Sequence, residues 1–293
     1  MNPLEKLVSI VTLNWNGKEV LLECLESLKK LDYSNYEIIV VDNGSTDGSC
    51  EILEENYPQI KLIKNKENVG VAMGNNIGIK HSQGDYILLL NNDTIVDSHL
   101  LKELLKVLEN EDVGVVGPKI YYYDEPQKIW AAGGGRINWL TGDVRLFGGD
   151  EIDRGQYEDI TDVDYVSGCA LFTRRELFEK IGYLDEIYFA YFEETDWCVR
   201  ACMEGYRLLY APKAKMWHKV RSSSRTISGF HEYQMTRNMF WFLKKHLDKQ
   251  HYRNFLIYFF FIKLWYKIGI YLFYDKEFKA LKPFFKGISD GIK

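Results

Sequence analysis

In the stretch from Ala190 to Arg200, "AYFEETDWCVR", the carboxylates Glu193, Glu194 and Asp196 fall within four positions of one another. Like charges this close repel unless something outside the segment favours them. One accommodation is structural: the three form the acidic first turn of a helix running on through "WCVRACMEG", where the helix dipole favours negative charge. The other is chemical: a crowded carboxylate has a raised proton affinity, which suits a base. The two are compatible. On helical spacing Glu193 and Asp196 share a face, and Arg200 stands four positions beyond Asp196, so an ion pair there would quiet those two and leave Glu194 pointing elsewhere.

The elements that position these residues are read from periodicity. "LVSIVTL" (7–13) precedes an amphipathic stretch at 18–31, "EIIVV" (37–41) another at 49–57, and "IKLI" (60–63) a third at 71–82. "DYILLL" (85–90) and "VGVVG" (113–117) continue the alternation. Strands apolar on both faces imply a mostly parallel sheet covered by helices. Residues 121–162, with "AAGGGRINWLTGDVRLFGG", read as long loops over one face. In such a sheet a ligand sits at the carboxyl ends of the strands, and these are strongly polar here: "TLNWNG" (12–17), "DNGSTDGS" (42–49) and "NNDT" (91–94). Each alone is equally a helix cap, with Ser45, Thr46 or Asp47 as the capping residue of the second. Three at the ends of one sheet are more economically one ligand site. Neither G-x-G-x-x-G after the first strand nor G-x-x-x-x-G-K-[ST] anywhere is present, which disfavours a dehydrogenase or P-loop enzyme.

Composition is that of a globular chain: 293 residues, 46% hydrophobic, 27% charged and 15% aromatic. The aromatic share favours flat surfaces for bases, sugars or a membrane interface, or an aromatic-rich core. Five cysteines without a Cys-x-x-Cys pair indicate neither a disulfide framework nor a zinc ribbon, and fit a reducing cytosol. No signal peptide is visible before "LVSIVTL".

The ordered strings "VSIVTLNWNG", "IIVVDNGSTDGS", "NVGVAMGNN", "YILLLNNDT" and "DYVSGCALFTRRELFEKIGYLDEIYFAYFEETDWCVRACMEGYRLLYAPKAKMWH" resemble the inverting family-2 glycosyltransferases of GT-A fold, in the non-processive branch with rhamnosyl- and galactofuranosyl-transferases. The resemblance covers roughly residues 7–240. It implies a GT-A α/β fold, Rossmann-like, with helices on both faces of the sheet, and Thr12, Asn14 and Asp42 around the base and ribose of a nucleotide. Asn68, Gly70 and Asn76 would line the nucleotide-sugar pocket, with Asn91 and Asn92 beside them. "NNDT" resembles the family's metal-binding Asp-x-Asp with Asn91 in place of the first acid, so that Asp93 binds a divalent cation, Mn²⁺ or Mg²⁺, held mainly through the donor diphosphate. His218 matches the histidine that completes the metal site in many relatives. Glu194, second of the acidic pair, matches the catalytic base, supported by Glu193 and Asp196. Tyr191 and Trp197 become candidate stacking surfaces for the acceptor sugar, Trp197 being equally a core residue.

"HEYQMTRNMFWFLKKH" (231–246) resembles the Tyr-x-x-x-Arg-Asn element of the non-processive branch, which implies one transfer per encounter. The domain division expected is a catalytic domain over 1–243 and a helical tail over 244–293. The tail carries a net charge of +7 and the rest −12, and "FLIYFFFIKLWYKIGIYLFY" (255–274) holds ten aromatics with Lys263 and Lys267. A lysine at the bilayer centre costs roughly 2.5–3.5 kcal/mol on insertion scales, so spanning is marginal and an interfacial helix fits better; packing on the catalytic domain or in a homodimer is the alternative. The expected protein is thus a metal-dependent inverting hexosyl- or deoxyhexosyl-transferase, peripheral on the cytoplasmic membrane face. It takes a UDP-, dTDP- or GDP-sugar and a glycan or lipid-linked glycan acceptor, and binds no nucleic acid. A non-catalytic nucleotide-sugar-binding scaffold and a nucleotidyltransferase are the alternatives.

Overall fold

The computed structural model describes residues 6–220, 229–274 and 277–293. Contacts group the chain into two compact units: Met1–Arg136, Leu146–Phe189 and Glu193–Arg221 form one, and Ile137–Arg145, Ala190–Phe192 and Ser222–Lys293 the other.

The first unit alternates strands and helices as the periodicity demands: β1 (Val8–Asn14), α1 (Lys18–Leu28), β2 (Tyr36–Asp42), α2 (Ser49–Asn56), β3 (Lys61–Lys64), α3 (Val71–Lys80) and β4 (Tyr86–Asn91). There follow β5 (Thr94–Val96), α4 (Leu100–Leu108), β6 (Val113–Tyr122), β7 (Ile129–Ala132) and β8 (Gly134–Asn138), while β9 (Asp143–Leu146) falls, but for its last residue, in the second unit. The series closes with β10 (Thr161–Asp162), β11 (Tyr165–Val166), β12 (Ala170–Arg174), α5 (Arg175–Ile181), α6 (Glu193–Met203) and β13 (Arg207–His218). The main sheet has the order β10-β13-β6-β12-β4-β1-β2-β3, with β5 on β13 and β7 on β6. Strands β4, β1, β2 and β3 run parallel, and β12 lies antiparallel to β4 and β6. The central strands are buried on both faces, hence their continuous apolar sequence.

Helix α3 shows how small residues set a packing distance. A Cβ on Gly74 would lie 2.4 Å from Leu13 Cδ1, and one on Gly78 2.3 Å from Val11 Cγ1. Two glycines four apart put a smooth face on β1, so the helix N-terminus and the strand end come close together.

The expectation of loops over 121–162 is corrected: β7, β8 and β9 lie there. The glycines that suggested breakers are close-approach positions. A Cβ on Gly134 would sit 1.8 Å from Tyr165 O, across the β8–β11 pairing, and one on Gly117 2.1 Å from Gly133 O.

The second unit is helical: α7 (Phe230–His246), α8 (Lys249–Tyr274) and α9 (Phe278–Ile292). Helix α8 includes π-helical turns at Phe259–Lys263 and Ile270–Tyr274. Phe240 of α7 packs its ring 5.3 Å from Phe255 and 4.7 Å from Phe259, measured between centroids. Gly287 and Gly291 bring α9 against α7, since a Cβ there would stand 2.8 Å from Tyr233 O and 2.9 Å from Phe240 Cβ. Asn238 donates both amide protons within this unit, to Ala190 O at 2.8 Å and Tyr191 O at 2.7 Å. Those bonds hold a segment in which Tyr191 and Phe192 adopt φ of 68° and 73°, a left-handed conformation that bulky residues rarely take.

Candidate functional site

Parallel register aligns Asn14 with Asp42 and Leu13 with Asn91, so the polar loops expected at the strand ends meet. Asn14, fully buried, donates to Asp42 Oδ2 at 2.9 Å and Ser45 Oγ at 3.2 Å, and accepts from Asn92 Nδ2 at 2.8 Å. The other Asp42 oxygen accepts from Ser45 N at 2.8 Å. Thr12 Oγ1 is buried with no hydrogen-bond partner. Asn68 Oδ1 accepts from Gly70 N at 3.0 Å and from Asn43 Nδ2 at 3.3 Å. Gly70 has φ 88°, and a Cβ there would stand 2.7 Å from Phe189 O. That carbonyl also accepts from Val71 N at 2.6 Å and so caps α3.

Asn76 does not join this network. It is buried, donates to Leu184 O at 2.9 Å and Glu186 Oε1 at 3.0 Å, and accepts from Leu184 N at 3.0 Å. Its amide thereby fixes the turn before the acidic helix, and the expectation that it lines the nucleotide-sugar pocket is corrected. Asn43 and Ser45 were missed; they were legible only as members of "DNGSTDGS", where cap and ligand roles look alike.

Asp93 and His218 come together because β13 pairs with β5, setting His218 opposite Thr94. Their Oδ1 and Nε2 are 3.1 Å apart, both side chains being buried. The contact is an ion-pair distance without hydrogen-bond alignment, so Asp93 Oδ1, like His218 Nδ1, is a buried polar atom with no hydrogen bond. Trp130 stands edge-on to the imidazole with centroids 4.7 Å apart. Burial disfavours the charged imidazolium, but Cys169 and the Asp93 carboxylate outweigh it and push His218 up to about 10. Among the described residues no group of three or more His, Cys, Asp and Glu side chains is placed to hold a metal. A carboxylate oxygen and an imidazole, both held inward, fit a divalent cation that takes its remaining ligands from a phosphate-bearing substrate.

Glu193 and Glu194 open α6. Glu193 is buried and Glu194 half-buried, and each has an Oε2 with no hydrogen-bond partner. Burial, and then the neighbouring Glu194, hold Glu193 well above the usual carboxylate range; burial raises Glu194 against hydrogen bonds from the backbone and Thr195. Asp196 behaves differently. It is fully buried, paired with Arg200 Nε at 3.0 Å and with Tyr188 OH at 3.3 Å. Arg200 also donates to Ile181 O at 2.5 Å and Tyr183 O at 2.6 Å, so Asp196 belongs to a structural clamp rather than to the reactive pair. The quieting ion pair expected from spacing forms at Asp196 and not at Glu193.

Trp197 is also corrected. Its side chain is fully buried, stacked 4.4 Å from Phe178, with Nε1 donating to Gly182 O at 2.8 Å, so neither face is open to a sugar. Tyr191 lies in the second unit beside His231 and Phe230.

The turn at 167–169 joins the two chemical sets. A Cβ on Gly168 would lie 3.3 Å from Glu194 Cγ, so a glycine there leaves room for the carboxylate. Next to it the buried Cys169 lies beside His218, and Cys169 O accepts from Asn91 N at 3.0 Å. Gly168 was missed as well; its only signal was a glycine between Ser167 and Cys169 at the start of a strand.

The family model described as Glycosyl transferase family 2 matches residues 9–182. Glycosyltransferase GlyG of Streptococcus pneumoniae serotype 4 is 34% identical over 125 residues, covering 42% of this chain and 42% of GlyG. The dTDP-rhamnosyl transferase RfbF of Shigella flexneri is 25% identical over 229 residues, 74% of each chain. This chain therefore spans less than half of GlyG's length and about three quarters of RfbF's. The mannosyltransferase PcManGT from Pyrobaculum calidifontis, solved with GDP-Man and Mn²⁺, superposes with a TM-score of 0.62 at 15% identity, over 98% of this chain and 87% of its own. That likeness shows the fold, which is the expected GT-A arrangement with C-terminal helices.

Proposed function

The chain belongs to glycosyl transferase family 2, and from that premise we propose that it moves one hexosyl or deoxyhexosyl unit from a nucleotide-diphosphate donor to a glycan or lipid-linked glycan hydroxyl, with inversion. The observation that carries the reading is the turn at 167–169, with Glu194 against Gly168 and Cys169 O accepting from Asn91 N, two residues before the Asp93 that pairs with His218. In a single displacement the acceptor hydroxyl attacks the anomeric carbon opposite the departing diphosphate, and a base takes its proton. Glu194 is that base: its Oε2 has no partner, and its raised proton affinity suits it to hold the proton once transferred. Asp93 and His218 would hold a divalent cation, Mn²⁺ or Mg²⁺, which when bound offsets the charge developing on the diphosphate. Base and ribose lie over the network of Thr12, Asn14, Asp42, Asn68 and Gly70, with Asn91 and Asn92 beside them. The donor class, a UDP-, dTDP- or GDP-sugar, is supported by the dTDP-rhamnosyl transferase and by the neighbour holding GDP-Man.

We place the protein on the cytoplasmic face of a membrane, with the basic tail as its contact and a polymer growing on a lipid carrier as its acceptor. Incubation with nucleotide sugars and Mn²⁺ should release nucleoside diphosphate. Release of pyrophosphate would instead indicate nucleotidyl transfer. Absence of metal-dependent turnover with any donor would indicate a binding scaffold.

A further inference from the structure

Helix α8 is 26 residues long, its most apolar window has a mean hydropathy of 1.5, and 17% of that window is buried. At 1.5 Å per residue it is about 39 Å long, enough to cross a hydrocarbon layer of about 30 Å. Lys263 argues against crossing. It is buried, and its Nζ donates to Asp143 Oδ1 and Thr141 O, both at 2.7 Å. Phe255, Phe259 and Tyr271, at multiples of four from it along the helix, are buried with it. On a straight α-helix a step of four drifts by about 40°; the π-helical turns at Phe259–Lys263 and Ile270–Tyr274 take up that drift. A seam of α8 thus stays on protein through most of its length. A lipid-surrounded span would tear Lys263 from Asp143 or carry both charges into hydrocarbon.

The other face is uncovered. Ile257, Phe261, Trp265 and Tyr266 are exposed, Phe261 by 77% and Trp265 by 64%. Helix α9 repeats the pattern on a smaller scale: Phe278, Phe285 and Ile292, seven apart, are exposed, with exposed Lys279, Lys282 and Lys286 between them. Soluble monomers rarely leave apolar surface of this kind bare. Two copies meeting here would bring together two tails of net charge +7. Aromatic rings that are apolar with a polar edge, among lysines, fit instead the boundary between acyl chains and anionic headgroups.

We propose that the second unit binds an anionic bilayer through these faces, with α8 lying in the membrane plane and not crossing it. The proposal rests on the reading of the tail as a membrane contact and adds which surface enters, how the helix lies and which lipid charge it needs. The full-length protein should float with phosphatidylcholine vesicles containing phosphatidylglycerol, less well with phosphatidylcholine alone, and should be released by high salt or alkaline carbonate. Each lysine near an anionic surface is worth about fivefold in binding, so reversing Lys279, Lys282 and Lys286 to Glu should weaken it on the order of 100-fold or more. Phe261→Glu with Trp265→Glu, both at exposed positions, should abolish flotation without lowering the melting temperature. No flotation of the wild type at low salt defeats the membrane contact itself. Flotation that survives the double substitution, or resists carbonate, leaves the contact standing but overturns the in-plane surface. A lipid-independent dimer that the double substitution dissociates shows that a second copy covers the face, and overturns it too. None of these readouts uses the transfer activity, so failure here is distinct from failure of Glu194 as base.

Discussion

Glu194→Gln is expected to lower sugar transfer by about 10²–10⁴ while donor affinity stays nearly unchanged, the signature of a lost general base. The side chain keeps its shape, so the contact across Gly168 persists. Stability distinguishes this outcome from misfolding. Burial raises the proton affinity of both Glu193 and Glu194 in the folded protein. The folded state therefore binds protons more tightly than the unfolded chain, and the pair's contribution to stability is lost as pH rises through its folded values. A neutral Gln removes one charge from that buried pair, so the variant should melt no lower than wild type at neutral pH. The same shift sets the wild-type pH profile: transfer should fall as pH drops through an apparent value above the ordinary carboxylate range, a value that belongs to the coupled pair. A Gln variant with near-normal turnover would remove Glu194 from the role and leave Glu193, since Asp196 is already tied to Arg200 and Tyr188.

Asp93→Asn is expected to abolish metal-dependent donor binding, a loss on the order of 100-fold or more in affinity for a nucleoside diphosphate in the presence of Mn²⁺. The reason is charge: without Asp93 the pair offers a cation only a neutral amide and an imidazole that must release its proton to bind. Asn91→Asp should preserve or strengthen binding, because it restores a second carboxylate beside the first. His218→Ala should weaken the metal dependence less severely than Asp93→Asn. Titration calorimetry with and without Mn²⁺ reads all three. Should Asp93→Asn bind donor as well as wild type, the metal site lies elsewhere.

The parallel half of the fold was legible because its central strands β1 and β4 are buried on both faces and so write continuous apolar runs, as in "LVSIVTL" and "YILLL". The acidic first turn of α6 was legible for the same kind of reason, since dipole and spacing both act locally. Long-range pairing was not legible. Strands β7 to β9 were hidden by glycines that sequence patterns treat as breakers but that here admit a neighbouring backbone, as at Gly134 against Tyr165 O. Asn76 looked like its polar neighbours in "GNN", yet its partners are more than 100 residues away at Leu184 and Glu186. Trp197 carried no mark of being core rather than platform until Phe178 was seen beneath it. Lys263 read as a penalty in an apolar helix, because its partner Asp143 lies 120 positions back in the chain.

The anomeric configuration of the product tests the account most directly. A single displacement with Glu194 as base predicts that the new glycosidic bond has the opposite configuration to the sugar–phosphate bond of the donor, read by NMR on the first product formed. A product that keeps the donor's configuration would contradict it.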